Sequence, residues 1–362
     1  MTEKRKIGEF VRLVDVRNRD LSVSRLLGVT LSKRFIPSVA NLNGVDLSVY
    51  KVIRKGQFGA KFMSVARDGI LPVALYSDDE PSIISSAYFV FEVLDPSILH
   101  PEYLMLWLRR PDFDRELWFF SGGDVRGGVT WRDFCDVSIN LPSFEQQIRI
   151  VEEYATLYNR LSDLDTMISK IEDFSSLIYR QSFPIDNDSS EDEQIATSID
   201  YFATLKAGGD KPAVYSDIKT QKCSIPVYSN SVENEGLFGF TDNPVINKES
   251  ITITARGINV GRCFLRRAPF FPIVRLIVVT PTDTSYTLYL YHYFKDLKIE
   301  GDGSAQSQYT IPQLRQERIP IPEESSLRHF NAVVAPLFEY RDFCIREKTL
   351  VQQLISTSFK KL

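Results

Sequence analysis

The sequence predicts an α+β chain made of two tandem halves, each a β-rich domain with a helical insert that runs into one long helix. Three observations predict it. The stretch "VSINLPSFEQQIRIV", beginning at Val137, joins a short alternating strand ending in Leu-Pro to the start of an amphipathic helix. Near the end of the chain "RIPIPEESSLRHF" repeats that join 180 residues later, with Ile319, Ile321 and Pro322 over Ile139, Leu141 and Pro142. Between the joins the segments correspond in order, and so long a period means duplication of a whole domain with its helix, because solenoid units are several times shorter.

Residues 1–142 form the first expected domain. Its short β-rich runs, "EFVRLVDV", "YKVIRKGQF", "SAYFVFEV" and "VSINL", are broken by Gly, Pro, Asn and Asp clusters. One helix, "HPEYLMLWLRRPDFDRELWFF", is expected among them from apolar residues three and four apart. A long helix follows over 143–184, with Val151, Tyr154, Tyr158, Leu161, Leu164, Ile168, Ile171, Phe174 and Ile178 on one face. Ser143 and Gln146 make a capping box at its start, and Pro184 stops it.

Residues 185–193 are acidic and read as a solvated linker. The second domain, 194–322, returns to β-rich runs in "IPVYSN", "ESITITARG", "GRCFLRRAPFFPIVRLIVVTP" and "RIPIP", with one helical insert, "SYTLYLYHYFKDL". The second long helix takes 323–362. Phe330, Val333, Leu337, Tyr340, Cys344, Val351 and Leu354 hold heptad-like spacing there, and Pro336 is placed in the first turn of its main segment.

The totals bound the class of protein. With 362 residues the chain has room for two or three domains, and 43 Lys and Arg against 47 Asp and Glu give no global sign of a polyanion partner. Split by segment, the two β-rich domains sum to a charge of +3 and the helices with the linker to −7, so only the domains are suited to face nucleic acid. Cys135, Cys223, Cys263 and Cys344 are far apart and fit reduced thiols better than a disulfide frame or a zinc site. The amino terminus has charge without an apolar run behind it, and no apolar stretch reaches the ~18 residues of a membrane span. A cytoplasmic protein is expected.

An enzyme needs a constellation, and none is legible. There is no GxxxxGK[ST], no GxGxxG opening a helix after a strand, and no Pro-Pro dipeptide of the kind adenine methyltransferases use. His100, His292 and His329 are not spaced as metal ligands or beside a nucleophile. Catalytic and metal-binding residues are therefore expected to be none.

The loops instead supply what reading DNA requires, cations for phosphates and planar amides or guanidiniums for base edges. In the second domain "YSNSVENEG", "ARGINVGR" and "GSAQSQYT" offer Ser229, Asn230, Arg256, Asn259, Arg262, Gln306 and Gln308. In the first, "RKGQFGAKF", "VARDG" and "GGDVRGG" offer Arg54, Lys55, Gln57, Lys61, Arg67 and Arg126 as the matching places. Each alone also reads as a polar turn; the set is stronger because loop positions recur in both halves. Trp131 and Tyr309, just before the last strands, are expected in the core.

This order of features resembles the specificity subunit of type I restriction-modification systems over essentially the whole chain. The residues that carry the resemblance are "KGQF", "IISSAYFVFEV", "PEYLMLWL" and "GGVTWRDFCDVSINLPSFEQQIRIV", then "VYSN", "ITITARGINVG", "RRAPFFP" and "GSAQSQYTIPQLRQERIPIP". It implies two α/β target recognition domains held apart by an antiparallel two-helix coiled coil with a pseudo-two-fold repeat. Each domain would read one part of a split, asymmetric double-stranded DNA site. The partners it implies are two methyltransferase subunits using S-adenosylmethionine and two restriction subunits using ATP and Mg, with no cofactor in this chain. Glu145, Gln146, Gln147, Tyr154, Leu161, Phe330 and Leu337 are the expected partner-binding residues of the coiled coil and helix junctions. The second junction, "IPEESSLRHF", departs from the pattern in lacking Glu-Gln-Gln after its proline. A coiled-coil protein-interaction scaffold without DNA reading is the alternative, and a domain exchange that changes half of a methylation motif separates the two.

Overall fold

The computed structural model describes residues 3–38, 44–120, 128–184, 195–257, 259–267, 269–297 and 308–359. The chain divides into two compact units, Met1–Leu164 with Glu347–Leu362, and Asp165–Arg346.

In the first unit, strands Val11–Val14, Phe89–Val93, Gln57–Ala60 and Val73–Leu75 lie side by side in that order, all antiparallel. Their alternation buries Phe58 and Phe91, whose rings stack 4.8 Å apart over Phe62, Phe134, Leu104 and Ile139. A second sheet orders Phe35–Pro37, Leu26–Val29, Ser82–Ile84 and Lys51–Ile53, and its central pair is parallel. Glu3–Lys6 pairs with Ser138–Leu141, tying the start of the domain to the strand that enters the long helix.

The expected single helix from His100 to Phe120 is two, Pro101–Leu108 and Pro111–Phe120. Pro111 disfavours helical backbone at the residue before it and cannot donate a helical hydrogen bond, so the chain restarts there.

The second unit repeats this topology. Ala203–Ala207, Ile277–Pro281, Ser250–Ile253 and Cys263–Arg266 form the antiparallel sheet, and Leu237–Thr241, Ile225–Tyr228 and Phe271–Pro272 the mixed one. Ala196–Thr197 pairs with Ile319–Pro320 as the edge pair. The repeat extends to single bonds. Tyr103 Oη donates to the Asn140 carbonyl at 2.8 Å, and Tyr289 Oη to the Pro320 carbonyl at 2.7 Å. A short helix precedes the last strand in each, Trp131–Asp136 and Ile311–Gln316, each opened by a threonine capping box. Tyr309 is buried, as expected, whereas Trp131 is only half-buried at the head of its short helix, stacked on Phe89.

The long helices run Phe144–Ser182 and Glu324–Phe359. In the first unit the start of one packs on the end of the other through Tyr154, Tyr158, Leu161, Val351 and Ile355, and Arg160 pairs with Glu347 at 2.7 Å. In the second, Tyr179 meets Phe330 beside Leu327, Val334 and Phe338.

The inward register keeps the expected Tyr154, Leu164, Ile171, Phe330 and Cys344 and departs from the expected seam elsewhere. Val334, Phe338 and Ile355 are buried, while Val333, Tyr340 and Leu354 are exposed. On the first helix Ser175, Ser176 and Tyr179 are buried, and Phe174 is 54% exposed. Adjacent apolar residues satisfy a three-four pattern equally well on paper, yet one residue turns the helix by ~100°, so packing alone chooses between them. Pro336 also lies inside the helix rather than in its first turn. It and Ala332, whose carbonyl loses its helical donor, are both exposed, so water can satisfy that group. Among the described residues no helix is long and apolar enough to cross a membrane.

Candidate nucleic-acid interface

In the second unit, strand directions gather the predicted loops at one edge. Ile225–Tyr228 and Phe271–Pro272 are parallel, with Val227 opposite Phe271 and Tyr228 opposite Pro272, so Ser229–Asn230 and Ile273–Leu276 leave from the same end. Ser250–Ile253 is antiparallel to Ile277–Pro281, with Ile253 opposite Ile277, which brings residues 254–257 and 259–262 to that end as well.

Asn230 locks two of these loops together. Its Oδ1 accepts from the Ala255 amide at 2.5 Å and the Arg256 amide at 3.3 Å, and its Nδ2 donates to the Arg256 carbonyl at 2.9 Å. Arg256 is exposed, and its guanidinium donates to Gln308 Oε1 at 2.9 Å. Thr254 Oγ1 donates to the Asn259 carbonyl and accepts from the Arg262 amide at 2.9 Å, shaping the turn in which Gly257 and Gly261 take φ of 83° and 84°. Arg262 is exposed and makes no ion pair with a described carboxylate.

Beneath this edge lies Arg266, a residue not among the expected contacts. It is 4% exposed, its guanidinium 3.8 Å from the Tyr228 ring centre. It donates to Thr252 Oγ1 at 3.1 Å, to the Glu235 carbonyl, and to the Glu235 carboxylate at 3.2 Å. Desolvation pulls its pKa below the ordinary arginine value, opposed by Tyr228 and Glu235. What it supports is the turn in which Asn234 and Glu235 adopt φ of 47° and 54°. Ser229 closes the loop, and a Cβ on Gly236 would stand 2.7 Å from the Ser229 carbonyl oxygen.

Ser229, Asn230, Arg256, Asn259, Arg262 and Gln308 therefore come together. Gln306 lies outside the described residues. Asn230 spends its amide on the neighbouring loop and is a positioning residue.

The first unit splits its predicted set. Lys61 and Arg67 line a cleft of about 540 Å³ with Thr30, Ser32, Ser64 and Tyr88. Lys61 Nζ sits 5.7 Å from the Tyr88 ring centre, and Arg67 pairs with Asp68 at 2.8 Å. Arg54, Lys55 and Gln57 stand at the other end of strand Gln57–Ala60, in a turn closed by the Gln57 amide on the Arg54 carbonyl at 3.0 Å. Gly56 takes φ of 84° there. Gln57 is buried, accepting from the Arg54 amide and donating to Glu92, both at 2.9 Å. Lys55 pairs with Asp79 at 2.6 Å, which raises the lysine's pKa and lowers the carboxylate's. Arg126 lies outside the described residues.

The expected correspondence between "RKGQ" and the Ser229 loop is thus corrected by topology. The turn before the central strand in the second unit is Asn247–Ser250, and the place equivalent to Ser229–Asn230 in the first is Thr30–Arg34, following Leu26–Val29. Arg34 is exposed there and pairs with no described carboxylate.

Of the junction residues, Gln147 is corrected from partner contact to internal clamp. It is fully buried, donating to the Ile98 and Pro142 carbonyls at 2.9 and 3.0 Å and accepting from the His100 amide at 2.8 Å. Gln146 caps the helix with Ser143, and Glu145 is exposed. Tyr154 and Leu161 pack in the first unit's helix seam, and Phe330 in the second unit's core. Leu337 is half-buried beside Phe338, which takes the inward place. No group of three His, Cys, Asp or Glu suited to a metal occurs among the described residues.

Residues 199–326, which hold this whole edge, match the family described as Type I restriction modification DNA specificity domain. Over that stretch the chain is similar to this family. A predicted type I specificity subunit of Mycoplasma pneumoniae is 25% identical over 303 residues, covering 83% of this chain and 80% of the relative. Another from the same organism is 29% identical over 133 residues, 37% of this chain, and the match spans only 39% of that relative's length. The crystal structure of a type I restriction-modification S subunit from M. genitalium aligns with a TM-score of 0.62 at 13% identity, covering 100% of this chain and 96% of the other, and shows the shared fold. Residues 199–326 thus carry their polar loops on one edge, braced from below by Arg266.

Proposed function

We propose that the chain is the DNA-recognition subunit of a type I restriction-modification complex. The observation that carries this is the single edge of residues 199–326 on which Ser229, Arg256, Arg262 and Gln308 gather. Guanidinium and amide groups there match what base edges and phosphates require. The repeated topology supports a second reading head in residues 1–142, and two unlike heads read an asymmetric, bipartite site. In the first head the candidate contacts are Lys61 and Arg67 in the cleft and Arg34 in the loop that follows Leu26–Val29.

The two long helices act as an antiparallel coiled-coil spacer between target recognition domains. Separation carries meaning on DNA because one helical turn is ~34 Å. With a net charge of +3 over the two domains, the chain alone binds weakly and borrows phosphate contacts from its partners. Those partners are two methyltransferase subunits that bring S-adenosylmethionine and, where the complex also restricts, two restriction subunits that bring ATP and Mg. Catalysis belongs to them, in the cytoplasm.

The test is the methylome of cells carrying the complex. A split adenine-methylation motif is expected, one half of which changes when residues 194–322 are exchanged for a homologous domain. No such motif would sink the reading.

A further inference from the structure

The turn between Phe271–Pro272 and Ile277–Pro281 holds Val274 and Arg275 at φ of 39° and 60°. Two central residues at positive φ are the mark of a type I′ turn, for which Asn-Gly is the usual sequence. A β-branched residue there is an outlier, and outliers of this kind cluster where a side chain must be held for a task. The strain is braced from outside the turn. The Val274 amide donates to the Gly209 carbonyl and the Gly208 amide to the Leu276 carbonyl, both at 2.8 Å. A Cβ on Gly208 would lie 2.7 Å from the Ile273 carbonyl oxygen, so only glycine lets that brace approach.

Strand register puts the turn in the middle of the candidate edge. On one side the Ile273 amide donates to the Tyr228 carbonyl at 2.8 Å, immediately before Ser229 and Asn230. On the other, Ile277 is opposite Ile253, immediately before the loop that carries Arg256 and Arg262. Both tip side chains face solvent, Val274 at 55% exposure, and Arg275 makes no ion pair with a described carboxylate.

Resting on the DNA-recognition reading, we propose that Arg275 is a specificity-determining residue that reads a base edge, with Val274 as its apolar neighbour. A phosphate contact needs only the cation. An aliphatic group fixed beside a guanidinium suits a groove floor, where a thymine methyl lies next to hydrogen-bonding base edges.

The test uses the full chain assembled with its methyltransferase subunits, comparing wild type, Arg275→Gln and the double variant Val274→Asn with Arg275→Gly. The double variant relaxes the turn while replacing the valine side chain and removing the arginine one, so its melting temperature should not fall. Methylation of a randomised DNA library is expected to relax at one position of the half-site assigned to residues 194–322, with discrimination there falling about ten-fold or more. The other half-site should be unchanged. An unchanged motif overturns the proposal, and so does uniform weakening with a salt slope smaller by about one, which marks a phosphate contact. A wild-type complex with no bipartite motif would instead refute DNA reading itself, so the two failures are distinct.

Discussion

Asn230 grips the backbone of Arg256 on both of its polar groups, donating to the carbonyl at 2.9 Å and accepting from the amide at 3.3 Å. An arginine on a free loop would lose entropy on binding DNA. Held this way, its loop is already set for the proposed DNA contact.

Asn230→Ala removes that grip together with the bond from the Ala255 amide. Each hydrogen bond is worth about 1 kcal/mol net, so the chain should lose about 1–3 kcal/mol in denaturant unfolding. DNA binding by the assembled complex should weaken further than that loss explains. Asn230→Asp keeps the acceptor and loses the donor, and an intermediate effect is expected.

His292 governs an acid response. It is 1% exposed, stacked 5.5 Å from Tyr179 and edge-on to Phe330 and Phe338, and its Nε2 finds no partner among the described residues. Desolvation pushes its pKa down from 6.5 to about 3, with Lys295 acting in the same direction. Between those values the unfolded chain binds a proton that the folded chain refuses. Stability therefore falls as pH drops from about 6.5 toward about 3, by ~1.4 kcal/mol per pH unit from this group. His292→Phe should remove that component, seen as a shallower loss of stability in urea titrations across pH 6 to 4 (roughly the window of the linkage).

Gln147 and Glu145, two residues apart at the same helix start, should behave oppositely. Gln147→Ala strands two carbonyls and one amide in a closed space, a loss of about 2–4 kcal/mol in thermal or denaturant unfolding. Glu145→Ala changes an exposed side chain and should stay within about 0.5 kcal/mol. If that glutamate serves a partner, its loss appears in assembly with the methyltransferase subunits and not in the melt.

The duplication was legible because both joins keep their apolar and proline positions through 180 residues. The seam was legible at Tyr154, Leu164, Ile171, Phe330 and Cys344, and elsewhere only to within one residue. Val333 and Val334, Leu337 and Phe338, and Leu354 and Ile355 are neighbours of like chemistry, and the outcome depended on which fitted the facing helix. The break at Pro111 could be read from local chemistry, since proline acts on its own neighbours.

The sequence by itself determined the alternation of strands, the start of the first long helix with its Ser143–Gln146 cap, and the polar loops of the second domain. All of these rest on interactions within a few residues. Only the tertiary structure decided that Arg54 and Lys61 stand at opposite ends of one strand, that Gln147 is enclosed, and that Arg266 and the Val274–Arg275 turn belong to the candidate edge. Those facts depend on which strands pair and in which direction, and pairing across tens of residues is set by packing of the whole unit.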